Sequence, residues 1–297
     1  MSTIQRKSTK LPPWFKVKMP NGSKFKELQN LVKNSSLHTV CEEAHCPNIG
    51  SCWNQGTATF MILGEICTRA CAYCAVTSGK PNSVDTLEPF RLANAVKQLN
   101  LKYAVITSVN RDDLADGGSS IFAECVIQVK KKMPNCKIEL LIPDFCGNLT
   151  AIDTVLSANP DTINHNIETV ERLFHRVRPK GDFFQSIKLL EYIKTKNKNK
   201  VTKSGLMVGL GESQLEIIET MKALRSVDCD ILTIGQYLRP SNKHIKLSKW
   251  YTPEEFHELE DIALSLGFKH AFSGPLVRSS YHAGEQYDAA ISQIKGS

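Results

Sequence analysis

Six of the ten cysteines in this chain lie within a stretch of 34 residues, where they form two groups of three. The groups are Cys41, Cys46 and Cys52, and Cys67, Cys71 and Cys74. A structural zinc ion takes four protein ligands, usually as two close pairs. A 4Fe–4S cluster that is held by three cysteines keeps one iron atom open for another ligand. The spacing therefore predicts two clusters, each with one vacant iron position.

Cysteines in groups of three do not fit a disulfide framework, so we expect metal ligation in a reducing compartment. No apolar stretch approaches the roughly 20 residues that span a bilayer, and no secretory signal peptide is present. Residues 2–18 are basic and rich in Ser and Thr, with a faint likeness to an organellar transit peptide. We expect a cytoplasmic protein without membrane association, with a mitochondrial or other organelle matrix as the alternative.

The chain carries a formal charge of +7, from 37 basic and 30 acidic residues. Part of the excess is a lysine-rich run at 194–203, for which a solvated loop is favoured over a binding patch. A basic balance can steer an acidic protein partner. It does not indicate nucleic-acid binding, because the sequence has no helix-turn-helix, zinc-finger or RRM pattern.

From Thr57 onward, strand-like runs alternate with helical runs. The predicted strands are 57–66, 103–109, 137–143, 161–167, 204–210, 231–238 and 271–276. The predicted helices are 89–100, 119–132, 149–158, 183–196, 214–226 and 253–267. This alternation predicts an α/β fold with a parallel sheet, closed into a partial TIM-like barrel of the (β/α)6 type.

We expect three parts: an N-terminal extension over 1–56, the barrel over 57–276, and a C-terminal tail over 277–297. The extension contains the first cysteine group and a short helical piece at 25–36. The tail is expected to pack back on the barrel as a helix.

Polar residues gather where the predicted strands end, which is the edge of a β/α barrel that carries the chemistry. They are Cys67, Thr107, Ser108, Asn110, Arg111, Asp144, Asn164, Asn166, Glu168, Glu212 and Gln236. Each alone is also an ordinary turn residue. Together on one rim, they favour a single site.

The second cysteine group reads CTRACAYC and follows a strand directly. This motif, with Tyr73 before its last cysteine, resembles the cluster-binding loop of the radical S-adenosylmethionine superfamily. The resemblance implies a 4Fe–4S cluster whose open iron binds the amino and carboxylate groups of S-adenosylmethionine. Reduction through the cluster then yields a 5′-deoxyadenosyl radical.

The first group and several long motifs narrow the resemblance to the lipoyl synthase family, over nearly the whole chain from Pro13 to Gly284. These motifs include TVCEEAHCPNI, TSVNRDDLADGG, NHNIETVERLFHRVRP, LTIGQYLRPS and GPLVRSSYHA. The family implies insertion of two sulfur atoms at C6 and C8 of a protein-bound octanoyl-lysine chain. The second cluster serves as the sulfur donor.

The resemblance also implies the fourth ligand of the second cluster, a serine of the RSSY motif. We assign it to Ser280, with Ser279 as the lesser alternative, and give it a catalytic role. An alkoxide is a hard ligand on a soft cluster, so we expect this bond to be the weakest of the four. For this to occur, the extension and the tail must meet over the barrel mouth.

Further expectations concern S-adenosylmethionine and the partners. Arg178 is expected to pair with the methionyl carboxylate, and Glu168 with ribose hydroxyls or the amino group. The other predicted contacts are Tyr73, Thr107, Ser108 and Asn164. The implied partners are octanoylated carrier domains of 2-oxoacid dehydrogenase complexes or the glycine cleavage H protein, an electron donor such as ferredoxin or flavodoxin, and an iron–sulfur carrier.

The remaining cysteines, Cys125, Cys136, Cys146 and Cys229, are expected to be small buried residues, with Cys146 near the rim. His45 is expected to be structural. Three other interpretations stay open at this point. They are another sulfur-inserting radical enzyme related to biotin synthase or a methylthiotransferase, a non-catalytic iron–sulfur scaffold, and a zinc-stabilised nucleic-acid-binding module.

Overall fold

The computed structural model describes residues 11–15, 29, 37–39, 48–54 and 57–296. Cys41, His45 and Cys46 lie outside the described residues, as does nearly all of the predicted helical piece at 25–36.

The strands of the described residues form one large sheet and one small one. They are β1 (His38–Thr39), β2 (Thr57–Ile62), β3 (Ile66–Cys67), β4 (Thr77–Ser78), β5 (Tyr103–Ser108), β6 (Lys137–Leu141), β7 (Thr162–Asn164), β8 (Val201–Val208), β9 (Ile231–Gln236) and β10 (His270–Gly274). The order in the large sheet is β1-β2-β5-β6-β7-β8-β9-β10. All seven strands from β2 to β10 in this sheet run parallel, and β1 pairs antiparallel with β2.

The helices of the described residues fill the connections. They are α1 (Ile49–Asn54), α2 (Glu88–Gln98), α3 (Ser119–Lys132), α4 (Leu149–Ser157), α5 (Glu171–Val177), α6 (Phe183–Lys196), α7 (Gln214–Ser226), α8 (Pro253–Ser265) and α9 (Ala283–Gly296). Short 3-10 turns lie at Pro13–Phe15 and Phe145–Gly147.

This architecture confirms the predicted partial barrel. The seven parallel strands and six crossover helices occur where the periodicity predicts them. Among the described residues β10 pairs only with β9, so the barrel stays open between β10 and the β1–β2 edge. The predicted start of α8 is also confirmed. Thr252 and Glu255 form a capping box, in which each side chain accepts from the other residue's backbone N–H.

Three differences from the expectation lie around the site. β7 ends at Asn164, three residues early, because the chain turns away before Glu168. The short helix α5 and the two-stranded sheet of β3 and β4 are not predicted from the sequence.

The inside of the barrel is polar below the rim. Lys203 on β8 and Glu139 on β6 form an ion pair with an N···O distance of 3.1 Å, and both side chains are fully buried. The Tyr103 hydroxyl and the Asn164 amide both donate to the Glu139 carboxylate. Each charged atom therefore has partners, which is the condition for keeping an ion pair away from water.

The predicted tail helix is α9, and it closes the amino end of the barrel. Ala290 packs on Val201 and Ile231, the first residues of β8 and β9. Ala283 packs on Tyr103, the first residue of β5. The tail therefore runs from the rim, where the RSSY motif lies, to the opposite end of the barrel. No helix among the described residues is long and apolar enough to cross a membrane.

Candidate active site

The second cysteine group lies on a loop after β2, which we call the cluster loop (residues 67–74). Its start is fixed by the pairing of β3 with β4. The Cys67 sulfur accepts hydrogen bonds from the backbone N–H groups of Arg69, at 3.4 Å, and Asn110, at 3.3 Å. Cys67, Cys71 and Cys74 all line one cavity of about 150 Å³. The fold thus brings the three predicted ligands of the first cluster together.

The donor chemistry of this cavity fits a cluster. Burial raises the pKa of Cys71 to about 11 and also raises that of Cys74, so bound iron has to displace the thiol protons. No three His, Cys, Asp or Glu side chains of the described residues converge on a position for a single metal ion. In a cubane each thiolate binds a different iron atom, so its ligands stand further apart than those of a zinc ion.

Arg69 anchors the cluster loop to the barrel. Its guanidinium donates to both carboxylate oxygens of Asp112, at 2.8 and 2.9 Å, and to both of Asp144, at 2.7 and 2.6 Å. Arg69 and Asp144 are almost fully buried. Burial alone would raise the pKa of Asp144, but the hydrogen bonds and charge of Arg69 hold it below its ordinary value. The loop is therefore tied to the segments that follow β5 and β6.

The wall beside the cysteines carries polar groups that have no partner. Tyr73, Ser108, Glu168 and Arg178 all line the small cavity. The Ser108 hydroxyl is buried without a hydrogen bond from the described residues. Arg178 donates one N–H to the Asn166 carbonyl at 3.0 Å. Such groups are suited to a polar ligand, because burial without a partner is otherwise costly.

Glu168 is held in a strained backbone conformation at this wall. Its φ of 67° is uncommon for a residue other than glycine. Its N–H donates to the Gly205 carbonyl, and its own carbonyl accepts from Met207, both at 2.9 Å. Burial raises the pKa of the Glu168 carboxyl, and the Arg178 guanidinium opposes this shift. Strain of this kind is concentrated at ligand-binding positions.

Two of the predicted contact residues use their side chains elsewhere. The Thr107 hydroxyl donates to the Leu141 carbonyl at 2.9 Å, although Thr107 lines the cavity. Asn164 lies below the rim and donates to Glu139 at 2.9 Å. The structure therefore brings Tyr73, Ser108, Glu168 and Arg178 together at the cysteines, and leaves Asn164 outside the cavity lining.

Asn166 stands at the cavity instead, a position for which sequence reasoning assigned no contact. Its amide donates to the Ser279 hydroxyl at 3.4 Å, and its Oδ1 is buried without a partner among the described residues. A Cβ atom on Gly205 would lie 2.7 Å from this oxygen, so the glycine makes room for the amide. The available signal was the two-residue period of a strand, which puts Asn164 and Asn166 on one face.

A larger cavity of about 340 Å³ continues from the first one toward the tail. Both cavities are lined by Tyr73, Cys74, Ser108, Asn166 and Glu168. The far side of the larger one is formed by Val277, Arg278, Ser279 and Ser280. Its wall also carries apolar side chains, namely Met61, Val76, Leu141, Leu206 and Met207. One connected space thus joins the cysteine loop to the RSSY motif.

The segment that ends the N-terminal extension contacts the tail. Asn48 Nδ2 donates to the Leu276 carbonyl at 2.5 Å, and Ser51 lies 3.5 Å from the His282 ring. Cys52 is buried on α1 beside these contacts. The extension and the tail therefore meet.

The other cysteines fall into two classes. Cys125, Cys136 and Cys229 are buried as predicted. Cys146 is exposed, and its sulfur lies 3.2 Å from Arg69 Nη2, so this thiol borders the anchor of the cluster loop.

Two family models match the sequence. The radical SAM superfamily model matches residues 61–224. The model of the N-terminal domain of lipoyl synthase of the radical SAM family matches residues 2–46.

Solved structures share the fold at low sequence identity. A maturase of the FeFe-hydrogenase superposes with a TM-score of 0.58 and 10% identity, covering 92% of this chain and 80% of that one. The Streptococcus suis protein SuiB bound to S-adenosylmethionine gives a TM-score of 0.56 and 12% identity, covering 73% of this chain and 50% of that one. These likenesses support the architecture alone.

Curated relatives are far closer in sequence, and each bears the name lipoyl synthase. The Rubrobacter xylanophilus protein is 53% identical over 94% of this chain and 87% of its own length. The Roseiflexus protein is 54% identical over 92% and 90%, and the Caldanaerobacter subterraneus protein 52% identical over 96% and 98%. By sequence, fold and cysteine loop, this chain belongs to the lipoyl synthase family of the radical SAM superfamily.

Proposed function

We propose that the chain inserts two sulfur atoms at C6 and C8 of an octanoyl group that is attached to a lysine of a carrier protein. One observation carries this proposal: a connected space joins the cysteines of the cluster loop to the serines of the RSSY motif. A radical generated at one end of that space can reach an acyl chain lying between the two ends.

The residues of the small cavity hold the cofactor and cosubstrate. Cys67, Cys71 and Cys74 supply three thiolates to a 4Fe–4S cluster. When bound there with S-adenosylmethionine, the cluster supplies the 5′-deoxyadenosyl radical that an unactivated C–H bond requires.

The side chains beside those thiolates then orient the cosubstrate. Arg178 keeps donors for a carboxylate, and Glu168 accepts from hydroxyl or ammonium groups. Ser108 and Asn166 offer a hydroxyl and an amide oxygen that are otherwise unpaired. Tyr73 closes one side of the cavity, and Thr107 contributes its methyl face, since its hydroxyl is engaged with Leu141.

The larger cavity is suited to the acyl chain. Its apolar wall excludes water from the carbon atoms that react, which protects a reactive radical from side reactions. Its 340 Å³ lies within the usual range for small-molecule sites.

Ser280 is the proposed fourth ligand of the sulfur-donating cluster, together with Cys41, Cys46 and Cys52. Two observations support this choice. The Ser279 hydroxyl accepts from Asn166, whereas Ser280 makes no side-chain hydrogen bond within the described residues. The contact of α1 with the tail also brings Cys52 into the neighbourhood of the RSSY motif.

The wider setting follows from this chemistry. The carriers are octanoylated domains of 2-oxoacid dehydrogenase complexes or the glycine cleavage H protein. An electron donor such as ferredoxin or flavodoxin reduces the first cluster, and an iron–sulfur carrier rebuilds the second. We place the reaction in the cytoplasm, because the eight cysteines that the structure describes are all free, as a reducing compartment requires.

The test is an anaerobic assay with an octanoyl-lysine peptide, followed by mass spectrometry. We expect about eight irons per chain after reconstitution, and a product that has gained two sulfur atoms. Ser280→Ala should keep deoxyadenosine formation and the four irons of the first cluster, but lose sulfur insertion.

Two comparisons make this test decisive. Ser279→Ala is the matched control and should retain sulfur insertion. Deoxyadenosine formation without sulfur insertion by the unmodified chain would contradict the proposal. Full activity of Ser280→Cys would contradict the idea that a labile oxygen ligand matters.

A further inference from the structure

A long irregular segment joins β9 to α8 over residues 237–252, and we call it the basic loop. It carries four Lys or Arg residues and no Asp or Glu. These are Arg239, Lys243, Lys246 and Lys249. Loops longer than about 12 to 15 residues without secondary structure are uncommon in compact domains, and are usually functional or disordered.

The basic loop is ordered by its own hydrogen bonds. The Tyr237 hydroxyl donates to the Ile245 carbonyl at 2.9 Å, and Ser248 N–H donates to the Gly209 carbonyl at 2.8 Å. Ile245 and Leu247 pack on the hydrophobic core. The segment is therefore a fixed platform, and the functional alternative is favoured.

The platform is attached to the cluster loop. Ile245 N–H donates to the Ala72 carbonyl at 2.9 Å, and His244 Nε2 lies 2.9 Å from the Cys74 carbonyl. Its first residues, Tyr237, Leu238 and Pro240, line the larger cavity. A protein that feeds a lysine-linked chain into this cavity must pass over the basic loop.

The positive charge on this platform is largely uncompensated. Lys243 and Lys246 are exposed, and neither forms an ion pair with a carboxylate of the described residues. Arg239 donates within the loop, to the carbonyls of His244 and Asn242. Lys249 alone is paired, with Glu255 on α8. Three positive charges thus face solvent at the cavity mouth.

We infer that Arg239, Lys243 and Lys246 dock an acidic protein domain whose acyl-lysine enters the larger cavity. This inference rests on the proposed function, because only a protein-bound substrate needs a docking surface. Opposite charge raises the rate of encounter and fixes orientation, with an effect that salt weakens. Nucleic acid is the less favoured partner, because the loop presents no helix or aromatic platform for reading bases.

The experiment compares Lys243→Glu/Lys246→Glu with the matched charge reversal Lys97→Glu/Lys131→Glu. The control residues are exposed lysines on α2 and α3. The probes are an octanoylated carrier domain of net negative charge and a short uncharged octanoyl-lysine peptide. Steady-state kinetics are measured at low and high salt, and binding of the domain to the cluster-free chain is measured by calorimetry.

For the basic-loop variant we expect about a tenfold lower kcat/KM with the domain at low salt, mainly through KM. The loss should shrink at high salt, where charges are screened. The peptide should be converted at the unmodified rate, and the control variant should match the unmodified chain with both probes. Calorimetry should show the same weakened binding without any cluster present.

The outcomes separate the two proposals. No conversion of the peptide by the unmodified chain would overturn the proposed function. Normal conversion of the peptide, with equal use of the domain by both variants, would overturn the docking inference alone. Loss of duplex or single-stranded DNA binding in the basic-loop variant, with domain binding intact, would assign the surface to nucleic acid and overturn it as well.

Discussion

Arg69 stands between two of the three cysteines of the cluster loop, so the atoms that fix its guanidinium also fix the thiols. Asp112 and Asp144 hold it from two neighbouring segments. Bidentate pairs of this kind are shorter and stronger than neutral hydrogen bonds and fix an orientation. The loop can therefore present its thiols in a defined arrangement before iron arrives.

We predict that Asp144→Asn destabilises the cluster-free chain by on the order of 2 kcal/mol, because it leaves Arg69 partly uncompensated in a buried place. Denaturant unfolding measures this loss. The same variant should lose iron faster to a chelator after reconstitution, since the loop no longer holds the thiols in position.

Arg225→Lys is the control, because Arg225 is a partly buried arginine on α7 whose contacts involve Cys229 and Phe268. It should lower stability without changing iron loss. Since the pKa of Asp144 is below its ordinary value of about 3.9, its contribution is fully present above that pH and disappears as the pH falls further. The stability difference between Asp144→Asn and the unmodified chain should shrink in that acidic range. Equal rates of iron loss would contradict the anchoring role.

At the level of elements, periodicity predicts the barrel because each strand and helix must bury one face. The helix from Phe183 to Lys196 and the helix from Gln214 to Ser226 fall where the pattern places them. The pattern does not predict α5, whose seven residues are too few for a clear period. It also overextends β7, because the positive φ of Glu168 leaves no mark on hydrophobicity.

Asn164 and Asn166 show why the site itself is less predictable. Both lie on the inward face of one strand and its extension, about 6.6 Å apart along the chain axis. Alternation indicates the face, but it carries no information about depth below the rim. Asn164 therefore reaches Glu139, and Asn166 reaches the cavity.

Gly235 on β9 allows the tail to cross close to the sheet. A Cβ atom at this position would overlap the Val277 carbonyl oxygen. We predict that Gly235→Ala displaces the RSSY motif and lowers reconstituted iron from about eight to about four per chain. Iron analysis measures this change, and deoxyadenosine formation should persist.

Gly284→Ala is the matched control, because its Cβ would only make ordinary contacts with Tyr103. It lies in α9, where alanine is the better helix former. Eight irons in Gly235→Ala would show that the tail does not depend on this close approach.

At the scale of the whole molecule, the tail serves both ends of the barrel. Its first residues line the cavity at the rim, and α9 covers Val201 and Ile231 at the opposite end. A barrel interior with a buried ion pair needs such a cover, because water would otherwise reach Lys203 and Glu139.

We predict that Ala290→Asp destabilises the fold by about 3 kcal/mol or more, since it buries a charge without a partner. Ala290 is fully buried on Val201 and Ile231. Thermal unfolding measures the loss. Ser292→Asp, at an exposed position of the same helix, should leave the melting temperature nearly unchanged. Equal melting temperatures for both variants would mean that α9 is dispensable for the barrel.

The contact between Asn48 and Leu276 joins parts of the chain that leave the ribosome at very different times. At usual rates of synthesis, the 228 intervening residues take roughly 10 to 50 s to make. Through that interval α1 has no docking surface on the tail, and Cys52 has no neighbour at the RSSY motif. The cluster loop needs only β2, β5 and β6 around it, all of which emerge earlier. Any pathway that loads iron during translation would therefore fill the second cysteine group first.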